Sequence, residues 1–347
     1  MKFLVDACFF TTIVLGSTLA AWASERADGP QRGSANRRQQ AAREQPAVPV
    51  PTQANVTYGP HERHVLDFWK ADSPTATPLV FVIHGGGWMG GDKDRVGRFV
   101  DVEKLLANGI SVAAINYRLV PQAVAEGISP PVKAPLHDAA RALQFVRSKA
   151  AEWNIDSARI AAAGGSAGAC SSLWLAFHDD LADPQAADPL ARQSTRLHCA
   201  AVMNAQTTLD PAQMREWTPN STYGGHAFGL SGDKARNLSG FEHFLAERER
   251  ILPWIAEYSP YALVTADDPP VYLSYGGPPA IGKPQKDPTH SCNFGLKLKE
   301  RCDTVGVCCE LAYPEAPDMR HATGTDYLIA MLLKPAAAVG QEGQVGQ

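Results

Sequence analysis

The sequence predicts an α/β domain: a mostly parallel central sheet with helices on both faces and an insertion over the C-terminal ends of the strands. Three observations carry this. Short continuous apolar runs, the kind buried on both faces of a parallel sheet, alternate with segments of helical spacing. One such run, Arg159–Ala163, ends in Gly164-Gly165-Ser166-Ala167-Gly168 and then an alanine- and serine-rich helical stretch. Another, Leu79–Ile83, opens into His84-Gly85-Gly86-Gly87-Trp88. The 347 residues suit one such domain with appendages.

The elements follow in order. Residues 1–23 read as a secretory signal: Lys2 starts it, Phe9–Ala21 is mostly apolar, and Ala21-Trp22-Ala23 fits a small-x-small cleavage site. Cleavage is expected after Ala23, with an exported, periplasmic or extracellular product and no stable membrane insertion afterwards. Residues 24–54 are rich in Arg, Gln, Ala and Pro and read as a disordered spacer. The folded domain is expected over 55–335. It opens with a hairpin over Asn55–Trp69, followed by the strand Leu79–Ile83, a helix over Val100–Asn108 and the strand Ile110–Tyr117. A helix over Asp138–Trp153 leads to the strand Arg159–Ala163, and Cys199–Asn204 is the next strand. From 206 to 270 the alternation breaks down and aromatics cluster, which predicts a cap-like insertion with a helix near Phe241–Tyr258. Packing is the expected role of most of those aromatics. The strands Val271–Tyr275 and Val307–Leu311, the helix Phe294–Val305 between them, and a closing helix over Leu328–Leu333 complete the domain. Residues 336–347 form a low-complexity tail expected to be disordered.

The chemistry is concentrated in the two glycine motifs. A serine hydroxyl is a weak nucleophile unless a base takes its proton during attack. A sharp strand–turn–helix elbow lifts Ser166 off the strand end, where a histidine can reach it. The residues two before and two after it must be small because strand and helix approach closely there, and Gly164 and Gly168 meet that need. A helix starting near Ala167 also aims free N–H groups at developing negative charge.

These residues resemble the α/β-hydrolase superfamily and, within it, the bacterial carboxylesterases with a His-Gly-Gly-Gly loop. The similarity includes Asn116-Tyr117-Arg118-Leu119, Asn154–Ile160, Ser259-Pro260 and Asp268-Pro269-Pro270, and so runs from about Tyr58 to Leu333. The resemblance implies a triad in the order serine, acid, histidine, with Ser166 as nucleophile and the N–H groups of Gly86, Gly87 and Ala167 as oxyanion donors. It places the base just beyond the last strand, where His321 stands; His290 is the nearest competitor, but it follows the preceding strand. The acid is expected after Val271–Tyr275, which points to Asp287, with Asp318 as the alternative in the histidine loop. Asp267 and Asp268 precede the strand, and Asp303 lies late in a helix returning to the wrong end of the sheet. His84 is expected to shape its loop rather than take the proton.

Net charge is −4, which makes no case for nucleic acid. No CxxC or His-rich pattern suggests a metal, His61-Glu62-Arg63-His64 is not HExxH, and no organic cofactor is called for. Six cysteines follow the signal segment; free, mostly buried thiols are expected, with one bridge near Cys292–Cys309 as the alternative. Three functions compete. The first is an exported serine carboxylesterase acting through an acyl-serine on small or carbohydrate-linked acyl esters, acetyl esters among them. The others are an amide hydrolase of peptidase or arylformamidase type on the same site, and a non-catalytic binding protein that kept the fold.

Overall fold

The apolar runs become the middle of one eight-stranded sheet. The computed structural model describes residues 48–317 and 319–334. Its strands are β1 (Gln53–Thr57), β2 (Val65–Trp69), β3 (Thr77–Ile83), β4 (Ser111–Ile115), β5 (Ile155–Gly165), β6 (Cys199–Met203), β7 (Val271–Ser274) and β8 (Cys309–Ala312). They lie in the order β1-β2-β4-β3-β5-β6-β7-β8. The pairings from β4 through β8 are all parallel, and the two that involve β2 are antiparallel. Every residue of β3 and of β4 is buried, as a strand covered on both faces requires. Leu79, Phe81 and Ile83 face one core cluster while Val80 and Val82 face the other, the alternation that a pleated strand imposes.

The first strand corrects a boundary. Composition placed the end of the disordered spacer at Ala54, but β1 begins at Gln53, and the indole Nε1 of Trp69 donates to the Pro49 carbonyl at 2.7 Å. The hairpin therefore recruits the last residues of the Pro- and Gln-rich stretch by backbone pairing, which composition does not register. The signal segment, residues 24–47 of the spacer and the tail at 336–347 lie outside the described residues.

Between β6 and β7 the chain builds an insertion from the helices Pro211–Trp217, Gly240–Ala246, Arg248–Tyr258 and Pro260–Leu263. The single helix expected near Phe241–Tyr258 is two, joined at Glu247. Arg248 forks onto both oxygens of buried Asp210, at 2.8 Å each, and ties the helix Arg248–Tyr258 to the start of the insertion. Trp217, Phe228, Phe241, Phe244 and Tyr258 are buried in the main core cluster, so these aromatics pack. Among the described residues no helix is long and apolar enough to cross a membrane, and no group of three His, Cys, Asp or Glu side chains has the arrangement to hold a metal. The cysteines from Cys170 to Cys309 are free thiols, without the bridge considered near Cys292–Cys309. Cys308 is exposed and Cys309 buried, as neighbours on a strand edge must be.

Candidate active site

The site starts from a turn that only this glycine pattern allows. β5 runs into Ser166, whose φ of 54° and ψ of −120° lie in a left-handed region that a residue with a Cβ rarely adopts, and the helix Ala167–Phe177 follows at once. A Cβ on Gly164 would stand 2.6 Å from the Ile83 carbonyl oxygen, and one on Gly168 would collide with the same atom. The strained turn is held by the Ser166 N–H, which donates to Met203 O at 3.0 Å, and by the Cys170 N–H, which donates to Ser166 O at 2.9 Å. Tertiary pairing thus fixes a conformation that the serine would not choose alone.

The Ser166 hydroxyl meets His290. Its Oγ lies 3.0 Å from His290 Nε2, and His290 Nδ1 lies 2.8 Å from Asp287 Oδ2. A carboxylate only accepts, so Nδ1 carries the ring proton and Nε2 offers its lone pair to the serine hydroxyl. Asp287 Oδ1 also takes the N–H groups of Thr289 and His290, each at 3.2 Å. Partial burial raises the Asp287 carboxyl, but the hydrogen bonds from His290 and the backbone outweigh it and hold the pKa below the ordinary carboxylate value. One loop after β7 therefore carries both the carboxylate and the imidazole that line up on Ser166.

This corrects the expected base. His321 does not face Ser166; its Nδ1 lies 2.8 Å from Glu310 Oε2, and the N–H groups of Arg320 and His321 donate to Glu310 Oε1 at 3.0 and 2.8 Å. Glu310 is the second residue of β8 and its side chain is only 2% exposed. A buried carboxylate needs donors, and the chain beyond β8 folds back to supply three of them. Placement after the last strand did not reveal that demand. The signal that does point to His290 is its spacing: three residues beyond the acid, in one loop, it can close an Asp–His contact locally. Asp318, the alternative acid, lies outside the described residues. Asp287 stands where it was expected but serves His290.

His84 stays out of this chemistry. It is buried, its ring stacks on Tyr117 with centroids 4.2 Å apart, and its Nδ1 donates to Gly85 O at 2.8 Å. Arg63 approaches Nε2 at 3.3 Å, and the Tyr117 hydroxyl donates to His84 O at 2.7 Å. Burial, with Arg63 adding to it, lowers the His84 pKa to about 4, so the ring is neutral and acts as a bracket for the loop. That loop needs glycine: Gly86 and Gly87 have φ of 119° and 65°. From the other side, His226 of the insertion donates from Nε2 to Gly87 O at 2.8 Å. The loop is pinned from beneath by His84 and from above by His226. Among the described residues no acceptor takes the N–H groups of Gly86, Gly87 or Ala167. A cavity of about 260 Å³ opens at this point, with Gly86, Ser166, Asn204 and His290 in its wall. Sequence reasoning missed Asn204, His226, and Arg95 and Arg98, which also line the cavity. None belongs to a motif.

A family model described as BD-FAE matches residues 66–281, more than half of the chain and all of the nucleophile turn. The chain belongs to the BD-FAE family. Carboxylesterase NlhH of Mycobacterium tuberculosis is 34% identical over 109 residues, which are 31% of this chain and 32% of that protein. The chain thus matches about a third of the length of its curated relatives. Among solved structures, a truncated carbohydrate esterase from gut microbiota superposes with a TM-score of 0.58 at 19% identity, covering 84% of this chain and 100% of the other. An acetyl ester-xyloside bifunctional hydrolase from Caldicellulosiruptor lactoaceticus gives a TM-score of 0.52 at 24% identity, covering 75% and 80%. At these identities the structural likeness concerns the fold, and the fold of this BD-FAE member is that of the α/β-hydrolases.

Proposed function

We propose that this BD-FAE protein is a serine carboxylesterase that cleaves small or carbohydrate-linked acyl esters through an acyl-serine. The observation that carries the reading is the continuous chain from Ser166 Oγ to His290 to Asp287, at 3.0 and 2.8 Å. In the first step His290 Nε2 takes the Ser166 proton as Oγ attacks the ester carbonyl. Asp287 keeps Nδ1 protonated and stabilises the imidazolium. The N–H groups of Gly86, Gly87 and Ala167 are the donors for the tetrahedral oxyanion; one such donor changes the rate by about 10²–10³. The imidazolium returns its proton to the leaving alcohol. In the second step His290 takes a proton from water, which attacks the acyl-serine, and the imidazolium returns that proton to Ser166 Oγ as the acid is released. No residue role in this scheme calls for a metal or an organic cofactor. The curated carboxylesterase relative, and the carbohydrate and acetyl ester names among the structural neighbours, support esters over amides as the substrate class.

The test is a panel of p-nitrophenyl esters of rising acyl length, run beside labelling with a fluorophosphonate. The expected result is turnover of short acyl esters, phosphonylation of the peptide carrying Ser166, and loss of both by ~10⁴ or more in a folded Ser166→Ala variant. Unchanged esterase activity in that variant would sink the reading.

A further inference from the structure

The cavity beside Ser166 carries a charge that the acyl-transfer scheme leaves unused. Lys93–Arg98 forms a 3₁₀ turn, and in that geometry side chains three residues apart project in the same direction. Arg95 and Arg98 are so spaced, and both line the cavity that holds Ser166 and His290. Lys93, from the same turn, is consumed by the structure: it is buried 2.9 Å from Asp67. Arg95 and Arg98 are exposed, and no carboxylate among the described residues pairs with either. The residues of the cavity wall include no Asp or Glu. Asp92, just before the turn, is engaged with Asn116 Nδ2 at 2.7 Å, and Asp287 with His290. Asp94, on the same turn, is exposed and outside that wall, so Arg95 and Arg98 are the full charges that the cavity wall presents beside Ser166 and His290.

We propose that Arg95 and Arg98 bind a carboxylate carried by the substrate, so that the protein prefers esters of acidic molecules, uronate-bearing carbohydrate among them. The proposal rests on the esterase reading above. A guanidinium presents two parallel N–H donors that match a carboxylate, and two guanidiniums on one face fix its position relative to Ser166. That binding aligns the ester carbonyl with the nucleophile and raises kcat/KM for the acidic ester over a neutral one of the same shape.

The experiment compares matched pairs. With the anion on the acyl side, mono-4-nitrophenyl glutarate is set against 4-nitrophenyl pentanoate. With the anion on the alcohol side, methyl 2-O-acetyl-galacturonoside is set against its uronate methyl ester, with released acetate as the readout. The full chain should favour the acidic member of at least one pair by about 10-fold or more, and that ratio should fall by about 10- to 100-fold in Arg95→Gln/Arg98→Gln, the size expected for charge-assisted hydrogen bonds. Lys70→Ala, a cation removed elsewhere on the surface, should keep the ratio. The pair that responds identifies which side of the ester carries the anion. Hydrolysis of the neutral esters with no preference in either pair overturns this proposal alone, as does a preference that survives the double substitution. Failure of the full chain to cleave any ester overturns the esterase reading, and the proposal with it.

Discussion

At the scale of single residues, the site depends on two histidines given different roles by their neighbours. His290 has a carboxylate on one nitrogen and the serine on the other. His84, at the start of the adjacent loop, has a guanidinium on one side and a peptide carbonyl on the other, in a buried setting. That difference has a consequence for stability. His84 titrates near 6.5 when free and near 4 in the folded chain, so between those values the unfolded chain binds more protons. Its contribution is therefore complete above about pH 6.5 and declines as the pH falls toward about 4, by up to about 1.4 kcal/mol per pH unit. Urea unfolding of the wild type and of His84→Gln at pH 7 and pH 5 checks this. The advantage of the wild type should shrink by about 2 kcal/mol at the lower pH; a gap that stays constant contradicts it. Ser166 itself was legible in the sequence because its turn demands small residues at fixed offsets, and Gly164 and Gly168 answer to one carbonyl, that of Ile83. His290 was not, because the rule applied to it concerned chain order rather than contact.

At the scale of elements, the strands were legible where burial on both faces forces an unbroken apolar run, as in β3 and β4. The cap-like insertion was legible only as an interruption. Its aromatics pack, as most were expected to, but its link to the site is a polar contact from His226 to the Gly87 carbonyl, which no periodicity encodes. This contact makes the insertion a support for the glycine loop after β3. Burial lowers the His226 pKa, so the neutral ring donates that bond. Removing it in His226→Ala should lower kcat by about 10- to 100-fold with little change in KM, because a small displacement of the loop degrades transition-state contacts more than substrate binding. Steady-state kinetics on one short ester, with a thermal melt to confirm folding, decides the matter. A raised KM with kcat preserved would instead make His226 part of the substrate wall.

At the scale of the whole molecule, the parallel sheet gathers the loops of the site at the C-terminal ends of its strands: the glycine loop after β3, the Ser166 turn after β5, Asn204 after β6, and Asp287 and His290 together after β7. The loop after β8 is given to structure, with His321 satisfying Glu310 inside the sheet. Chain order and topology agree on the class of fold, yet they leave open which of two neighbouring loops brings an imidazole to Ser166; the side-chain contacts put His290 there. The most direct test is to prepare His290→Gln and His321→Gln side by side, confirm that both fold by circular dichroism and thermal melting, and measure kcat/KM on p-nitrophenyl acetate. The geometry predicts a loss of ~10³ or more for His290→Gln and no more than about threefold for His321→Gln. A crippled His321→Gln beside an active His290→Gln would contradict it.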